Sequence, residues 1–188
     1  MFVESAVVRS FVDRPGAIPA LAWCASVPRG GGPVEVMHGP RVECHERFFF
    51  EGAWTGDFAN GGFVDSPVCA GSGGHVGNEL LFATPTHSCE RLHTLALDDR
   101  LLVSNSLVFL LCRAGDGLDR TYPLYSRDIL TVILGLESYR RRLPTREGRS
   151  LGIHYYPNLS VSDDLEIVER PKPLHEPFRD FGHYTETL

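Results

Sequence analysis

Residues 92–111, LHTLALDDRLLVSNSLVFLL, decide how this chain is read. Apolar and polar residues alternate up to Leu97, Asp98-Asp99 interrupts, and a second short run follows from Arg100 to Ser104. A period of two is the signature of a half-buried strand, so Arg91–Leu97 and Arg100–Ser104 are predicted to pair as a hairpin. On that reading Leu95 and Leu97 take one face, Thr94 and Ala96 the other, and Leu101 and Val103 meet the first set across the turn. Behind Ser104-Asn105-Ser106 the sequence becomes continuously apolar, which predicts a short helix from Ser106 or Leu107 to Arg113. All three residues of the tripeptide are able to cap that helix, a side-chain oxygen accepting from the backbone N–H two or three positions on.

Outward from this unit the chain reads mostly as strand. Ala6–Val8, Leu21–Val27, Val34–Met37 and Arg41–Phe50 are candidates upstream, with a turn at Asp13-Arg14-Pro15-Gly16. Phe63–Ala70 and Asn78–Ala83 bracket Gly71-Ser72-Gly73-Gly74-His75, which suggests two strands joined by a glycine-rich turn. Downstream, Leu151–Tyr156, Leu159–Val161 and Leu165–Glu169 follow at short intervals, separated by turns at Pro157-Asn158 and Ser162-Asp163-Asp164. A second helix is expected from Arg127 to Arg141, capped by Ser126, with Ile129, Val132, Ile133 and Leu136 at helical spacing and Pro144 beyond its end. Strands in runs with helices between them predict an α+β fold, with antiparallel sheets, two of them stacked, and two main helices packed on them. Residues 1–170 are expected to form this single domain. Residues 171–188 open on PKPLHEPF, three prolines in eight residues, and read as a proline-rich linker or C-terminal tail.

Bulk properties narrow the functional classes. With 43% hydrophobic and 22% charged residues the chain has the composition of a folded domain rather than a disordered one. A formal net charge of −6 argues against a general nucleic-acid binder, which would cluster positive charge for phosphates. The apolar run Leu107–Cys112 is far short of the roughly 20 residues that span a bilayer. MFVESAVVRSF carries no basic start or long apolar stretch of an export signal, and five scattered cysteines without a CxxC suggest reduced, mostly buried thiols. A cytoplasmic protein is expected, without membrane or nucleic-acid partners.

Several stretches invite chemistry. CAGSGGHVGNE lacks the third glycine of a dinucleotide loop, which Val76 replaces, and lacks the Lys-Ser/Thr of a phosphate-binding loop. Its Ser72-Gly73-Gly74 matches the start of an SGGxDS pyrophosphate loop, but Val76 and Gly77 stand where Asp and Ser are needed, so no cofactor is expected. His87, Cys89 and His93 would share one face of an extended segment and, with Cys44-His45 nearby, offer donors to zinc. Their spacing matches no zinc pattern, so no metal is expected, and these three remain the candidates for a stand-alone hydrolase or zinc enzyme. Ser104 or Ser106 at a strand-to-helix step lacks the flanking glycines of a nucleophile elbow, which leaves capping as its role. Arg140-Arg141-Arg142 would complement the negative end of the second helix, and Asp57 and Asn60 are ordinary turn residues.

The order Gly56-Asp57-Phe58, paired strands, Arg100-Leu101-Leu102-Val103-Ser104-Asn105-Ser106, helix, Arg142-Leu143-Pro144 and Gly148–Tyr156 resembles a known family. It is similar, over about residues 50–170, to the N-terminal glutamine-amidotransferase-type (class II, Ntn-hydrolase-like) domain of asparagine-synthetase-like proteins. That family uses a cysteine directly after Met1, and Phe2 stands there in this chain. The resemblance therefore implies a degenerate domain that does not release ammonia from glutamine. It also implies a partner, an ATP-dependent, amide-forming synthetase-type domain or protein against which such a domain packs.

Overall fold

The computed structural model describes residues 8–12 by their backbone, and residues 18–51, 64, 71–172, 179–182 and 185 in full. Two sheets dominate. The first runs in the order β1(Val8–Val12), β3(Val34–His38), β2(Trp23–Pro28), β9(Arg100–Ser104), β8(Leu92–Ala96), β11(Ser150–His154), β10(Arg142–Pro144). The second runs β13(Ile167–Arg170), β12(Asn158–Val161), β7(Glu79–Ala83), β6(Ser72–Val76), β5(Phe48–Glu51), β4(Val42–Cys44). Pairing is antiparallel except between β1 and β3, which run parallel at the edge of the first sheet.

The predicted hairpin is the centre of the first sheet, but its faces differ from expectation. Leu95 lies opposite Leu102, while Thr94 and Ala96 lie opposite Val103 and Leu101. Opposed residues in an antiparallel pair point to the same side, so Leu101 and Val103 join Leu92 on the face turned to the second sheet. There they meet Trp23, Val36, Phe49, Phe82 and Leu159 in one apolar cluster. Trp23 anchors it, its ring edge-on to Phe49 with centroids 4.7 Å apart and stacked on Phe82 at 6.2 Å. Leu95 and Leu102 face the other way and pack with Leu110 and Leu111 of α1(Leu107–Ala114), together with Tyr139, Leu143 and Ile153. Each strand of the central hairpin thus serves two cores, and the layers are sheet, sheet, helix.

α1 ends as its sequence requires. Gly115 adopts the left-handed conformation at φ 62°, and the N–H of Asp116 reaches back to Leu111 O at 3.0 Å, closing the last turn.

The glycine-rich stretch is not a turn but a strand. Ser72–Val76 forms β6, and the chain reverses at Gly77, whose φ is +61°, before β7. Packing explains the glycines, because a Cβ on Gly73 would sit 2.6 Å from Phe82 Cδ1 and 2.9 Å from Phe49 Cζ. The rings that fill the core leave no room for a side chain there. The single strand expected over Arg41–Phe50 is two, β4 and β5, paired with each other. The turn expected at Pro157-Asn158 sits one residue earlier. Tyr156 takes φ 70° and its carbonyl accepts from Thr84 Oγ1 at 2.5 Å, whereas Asn158 is buried in β12.

The second helix is shorter than predicted. α2 covers Tyr125–Leu130 and tightens into a 3₁₀ turn over Thr131–Leu134, with Leu124 rather than Ser126 at its N-cap. Gly135 then leaves helical geometry at φ 104°. Thr131 closes the reversal, its hydroxyl donating to Asp128 O at 2.6 Å and accepting from Arg140 N at 2.7 Å. The helical spacing of apolar residues continued in sequence past a point the backbone does not follow. The arginine triplet consequently does not cap a helix: Arg140 pairs with Asp128 at 3.2 Å, Arg141 with Glu169 at 2.6 Å, and Arg142 opens β10. The expected strand Phe63–Ala70, the turn at 13–16, Phe2, Asp57 and Asn60 lie outside the described residues, apart from Val64, as do residues 173–178 of the proline-rich segment.

Candidate functional site

The tripeptide behind the hairpin does structural work at three levels. Ser106 Oγ accepts from Phe109 N at 3.3 Å and caps α1. Ser104 donates to Trp23 O at 2.5 Å and accepts from Ser106 N at 3.0 Å. Asn105 accepts from Trp23 N at 2.9 Å and donates to Leu21 O at 2.9 Å and to the carboxylate of Glu51. The other oxygen of Glu51 accepts from Gly71 N at 2.5 Å. Burial raises this carboxyl to about 7, against the lowering pull of the Gly71 and Asn105 hydrogen bonds. The side chains of the tripeptide are thus committed to capping α1 and to tying its approach to β2 and β5.

A different part of the molecule gathers polar side chains around a cavity. Where the two sheets part, between β11 and β13, lies a cavity of about 390 Å³ lined by Thr94, Arg141, Arg142, Ser150, His154 and Glu169 among others. Thr94 comes from β8, His154 from β11 and Glu169 from β13, three strands on two sheets. Pairing of Gly152 with Thr94 and of His154 with Leu92 sets the hydroxyl and the imidazole side by side. Thr94 Oγ1 lies 3.0 Å from His154 Nε2, and His154 Nδ1 lies 3.6 Å from Glu169 Oε1. Nδ1 is buried without a closer hydrogen-bond partner.

Gly152 makes this contact possible. A Cβ there would stand 2.3 Å from Thr94 Oγ1 and 2.9 Å from His154 Nε2. Across the cavity, His154 and then Arg141, whose Nη1 donates to Oε1 at 2.6 Å, hold the Glu169 carboxyl down at about 2 against the partial burial that would raise it. The carboxylate is therefore a fixed negative charge through the neutral range. Leu165, on the cavity wall, is held at φ 68°, a conformation rare for a branched side chain.

No motif announces this cluster, because its members stand some 60 and 15 residues apart in ordinary strand sequences. The one cue is Gly152 within Leu151-Gly152-Ile153, since a glycine inside an apolar strand marks a close approach.

The sequence candidates for metal fare differently. His87 is exposed and faces Glu90 at 3.7 Å, Cys89 is exposed, and His93 is buried in β8 with Arg91 Nε donating to its Nε2 at 3.3 Å. Among the described residues, no group of three or more His, Cys, Asp or Glu side chains is placed to hold a metal ion. Among the described cysteines, Cys24 is buried and Cys44 half-buried, but Cys89 and Cys112 are exposed, a less uniform burial than expected; Cys69 lies outside the described residues. Burial pushes the thiols of Cys24 and Cys44 up to about 12, far from nucleophilic readiness. No described helix is long and apolar enough to cross a membrane.

Set against known protein families, characterised protein sequences and solved structures, the chain has no match.

Proposed function

We propose that this chain is an amidotransferase-like packing domain that docks against an ATP-dependent, asparagine-synthetase-like amide-forming domain or partner in the cytoplasm. The observation that carries this reading is an outward-facing aliphatic strip on α2 and the turn after it. Leu130, Ile133 and Leu134 are 59%, 81% and 67% exposed. Three neighbouring aliphatic side chains in water form a patch that gains about 25 cal/mol for each Å² covered, and contiguous patches of this kind mark interaction surfaces. Arg127, 70% exposed, and Arg140 flank the strip and offer a polar rim. Two stacked antiparallel sheets with a capped helix after the central hairpin agree with what the resemblance implies.

The test uses the purified chain and the adenylating domain encoded in the same or the adjoining reading frame. Titration calorimetry is expected to show a stoichiometric complex that Ile133→Asp and Leu134→Asp abolish while the melting temperature stays unchanged. Absence of any complex at micromolar concentrations, or ammonia released from glutamine by the chain alone, overturns the reading.

A further inference from the structure

From the arrangement of Thr94, His154 and Glu169 around the cavity between the sheets, we infer that this chain carries a hydroxyl-nucleophile site that cleaves small carboxylic esters. The site shares no lining residue with the aliphatic strip on α2, so it stands or falls independently of the packing role.

The connectivity of the three side chains carries the inference. A hydroxyl becomes a nucleophile when a base within hydrogen-bond reach takes its proton and a third group orients that base. Here the imidazole presents Nε2 to the hydroxyl at 3.0 Å and Nδ1 to a carboxylate at 3.6 Å. The carboxylate favours the tautomer with its proton on Nδ1, which leaves Nε2 as the acceptor of the Thr94 proton. The buried, unpartnered Nδ1 has one acceptor to move toward, and contacts of this sort tighten when a substrate arrives. Arg141 pins Glu169 from the other side, so the carboxylate is already positioned. Gly152 keeps open the space in which hydroxyl and imidazole meet. A structural role for the Thr94–His154 contact alone accounts for neither the adjoining cavity of about 390 Å³ nor the carboxylate across it.

The reaction balances without any further reagent. Thr94 Oγ1 attacks the ester carbonyl carbon as its proton passes to His154 Nε2. Arg142, on the same cavity wall, is the cation that the developing oxyanion meets. The tetrahedral adduct collapses, the bond to the alcohol oxygen breaks, and the alcohol leaves with the proton from Nε2. Water, deprotonated by the same nitrogen, then hydrolyses the acyl-threonine to the free acid and restores the site. Thr94 and His154 are the catalytic residues; Glu169 is a positioning residue that acts through the imidazole. The cavity is the size of the smaller ligand pockets, which limits the substrate to a short acyl chain and a compact alcohol.

The experiment treats the full chain with p-nitrophenyl acetate and p-nitrophenyl butyrate, following p-nitrophenolate and mapping the acyl adduct by peptide mass spectrometry. An initial burst with the acyl group on Thr94 is expected. Thr94→Val, which keeps the volume, abolishes the burst, Thr94→Ser retains it, and His154→Gln slows acylation by about a hundredfold or more. Glu169→Gln lowers kcat with KM unchanged, which loss of fold would not do. An adduct found on the exposed Cys89 or Cys112 instead of Thr94, or Thr94→Val turning over at the parent rate, sinks the inference.

Discussion

Asn105 donates a side-chain hydrogen bond to Glu51, and this pair ties the approach to α1 to the end of β5 on the other sheet. The carboxyl is raised by burial to about 7, so in the folded state it holds its proton over a range where the unfolded chain, near 4.5, has lost it. For a folded pKa above the unfolded one, the stabilisation is complete below about 4.5 and is lost as pH rises through about 7. The stability of the parent relative to Glu51→Gln should therefore fall between pH 4.5 and pH 8, by on the order of 3 kcal/mol. Urea unfolding of both proteins across that range measures it; a constant difference would show that Glu51 keeps an ordinary carboxyl.

His93 is expected to give the opposite slope in the same experiment. Burial, reinforced by Arg91, lowers its imidazole to about 3, so the folded chain keeps it neutral while the unfolded chain charges it near 6.5. A depressed folded value contributes stability that is present above 6.5 and disappears as pH falls toward 3. Relative to His93→Gln, the parent should gain stability from pH 4 to pH 7, where relative to Glu51→Gln it loses it. Parallel profiles for the two variants would contradict the burial assigned to one of them.

How far the sequence carries can be judged from the same residues. The hairpin, the cap at Ser106 and the helix behind it were readable because their signals are local: a period of two, an aspartate turn, a hydroxyl before an apolar run. The facing of the hairpin was not. Both sides of its strands are apolar because one serves the inter-sheet core and the other serves α1, and alternation says nothing when both faces are buried. Gly73 and Gly74 read as a turn because the rings of Phe49 and Phe82, which exclude a side chain at Gly73, lie on the two neighbouring strands and outside the glycine-rich stretch itself. The cluster of Thr94, His154 and Glu169 is a product of strand register between three hairpins, a property no short window contains.

Gly152 offers a direct measure of how tightly that cluster is packed. The added methyl of Gly152→Ala would collide with Thr94 Oγ1 at 2.3 Å, and neither strand can withdraw without breaking the β8–β11 ladder. Overpacking of this kind costs about 1–3 kcal/mol. Removing the hydroxyl clears the space, so Gly152→Ala should be less damaging in a Thr94→Ala background than in the parent. A double-mutant cycle by chemical denaturation tests this, and additive effects would place the two residues out of contact.

Asp116 supports a prediction for the loop behind α1. Its carboxylate, with no side-chain exposure, accepts from Gly117 N at 2.7 Å, Glu147 N at 3.2 Å, Thr145 Oγ1 at 2.8 Å and Arg149 Nη1 at 3.0 Å. Burial would raise its pKa, yet these donors together hold it below the ordinary 3.8. The contribution to stability is then present above that value and lost as pH falls below it. Replacing the carboxylate by a methyl leaves four donors at the junction of the α1 exit and the turn before β11 without their acceptor. Asp116→Ala should lose about 3 kcal/mol, and Asp116→Asn, which keeps one acceptor oxygen, should lose less. Amide hydrogen exchange supplies the local check, since Gly117 and Glu147, which share Oδ1, should lose protection in Asp116→Ala and keep more of it in Asp116→Asn, while Leu110, in the middle of α1, keeps it in both. Uniform loss of protection through α1 would mean that Asp116 holds the whole helix in place rather than the loop behind it.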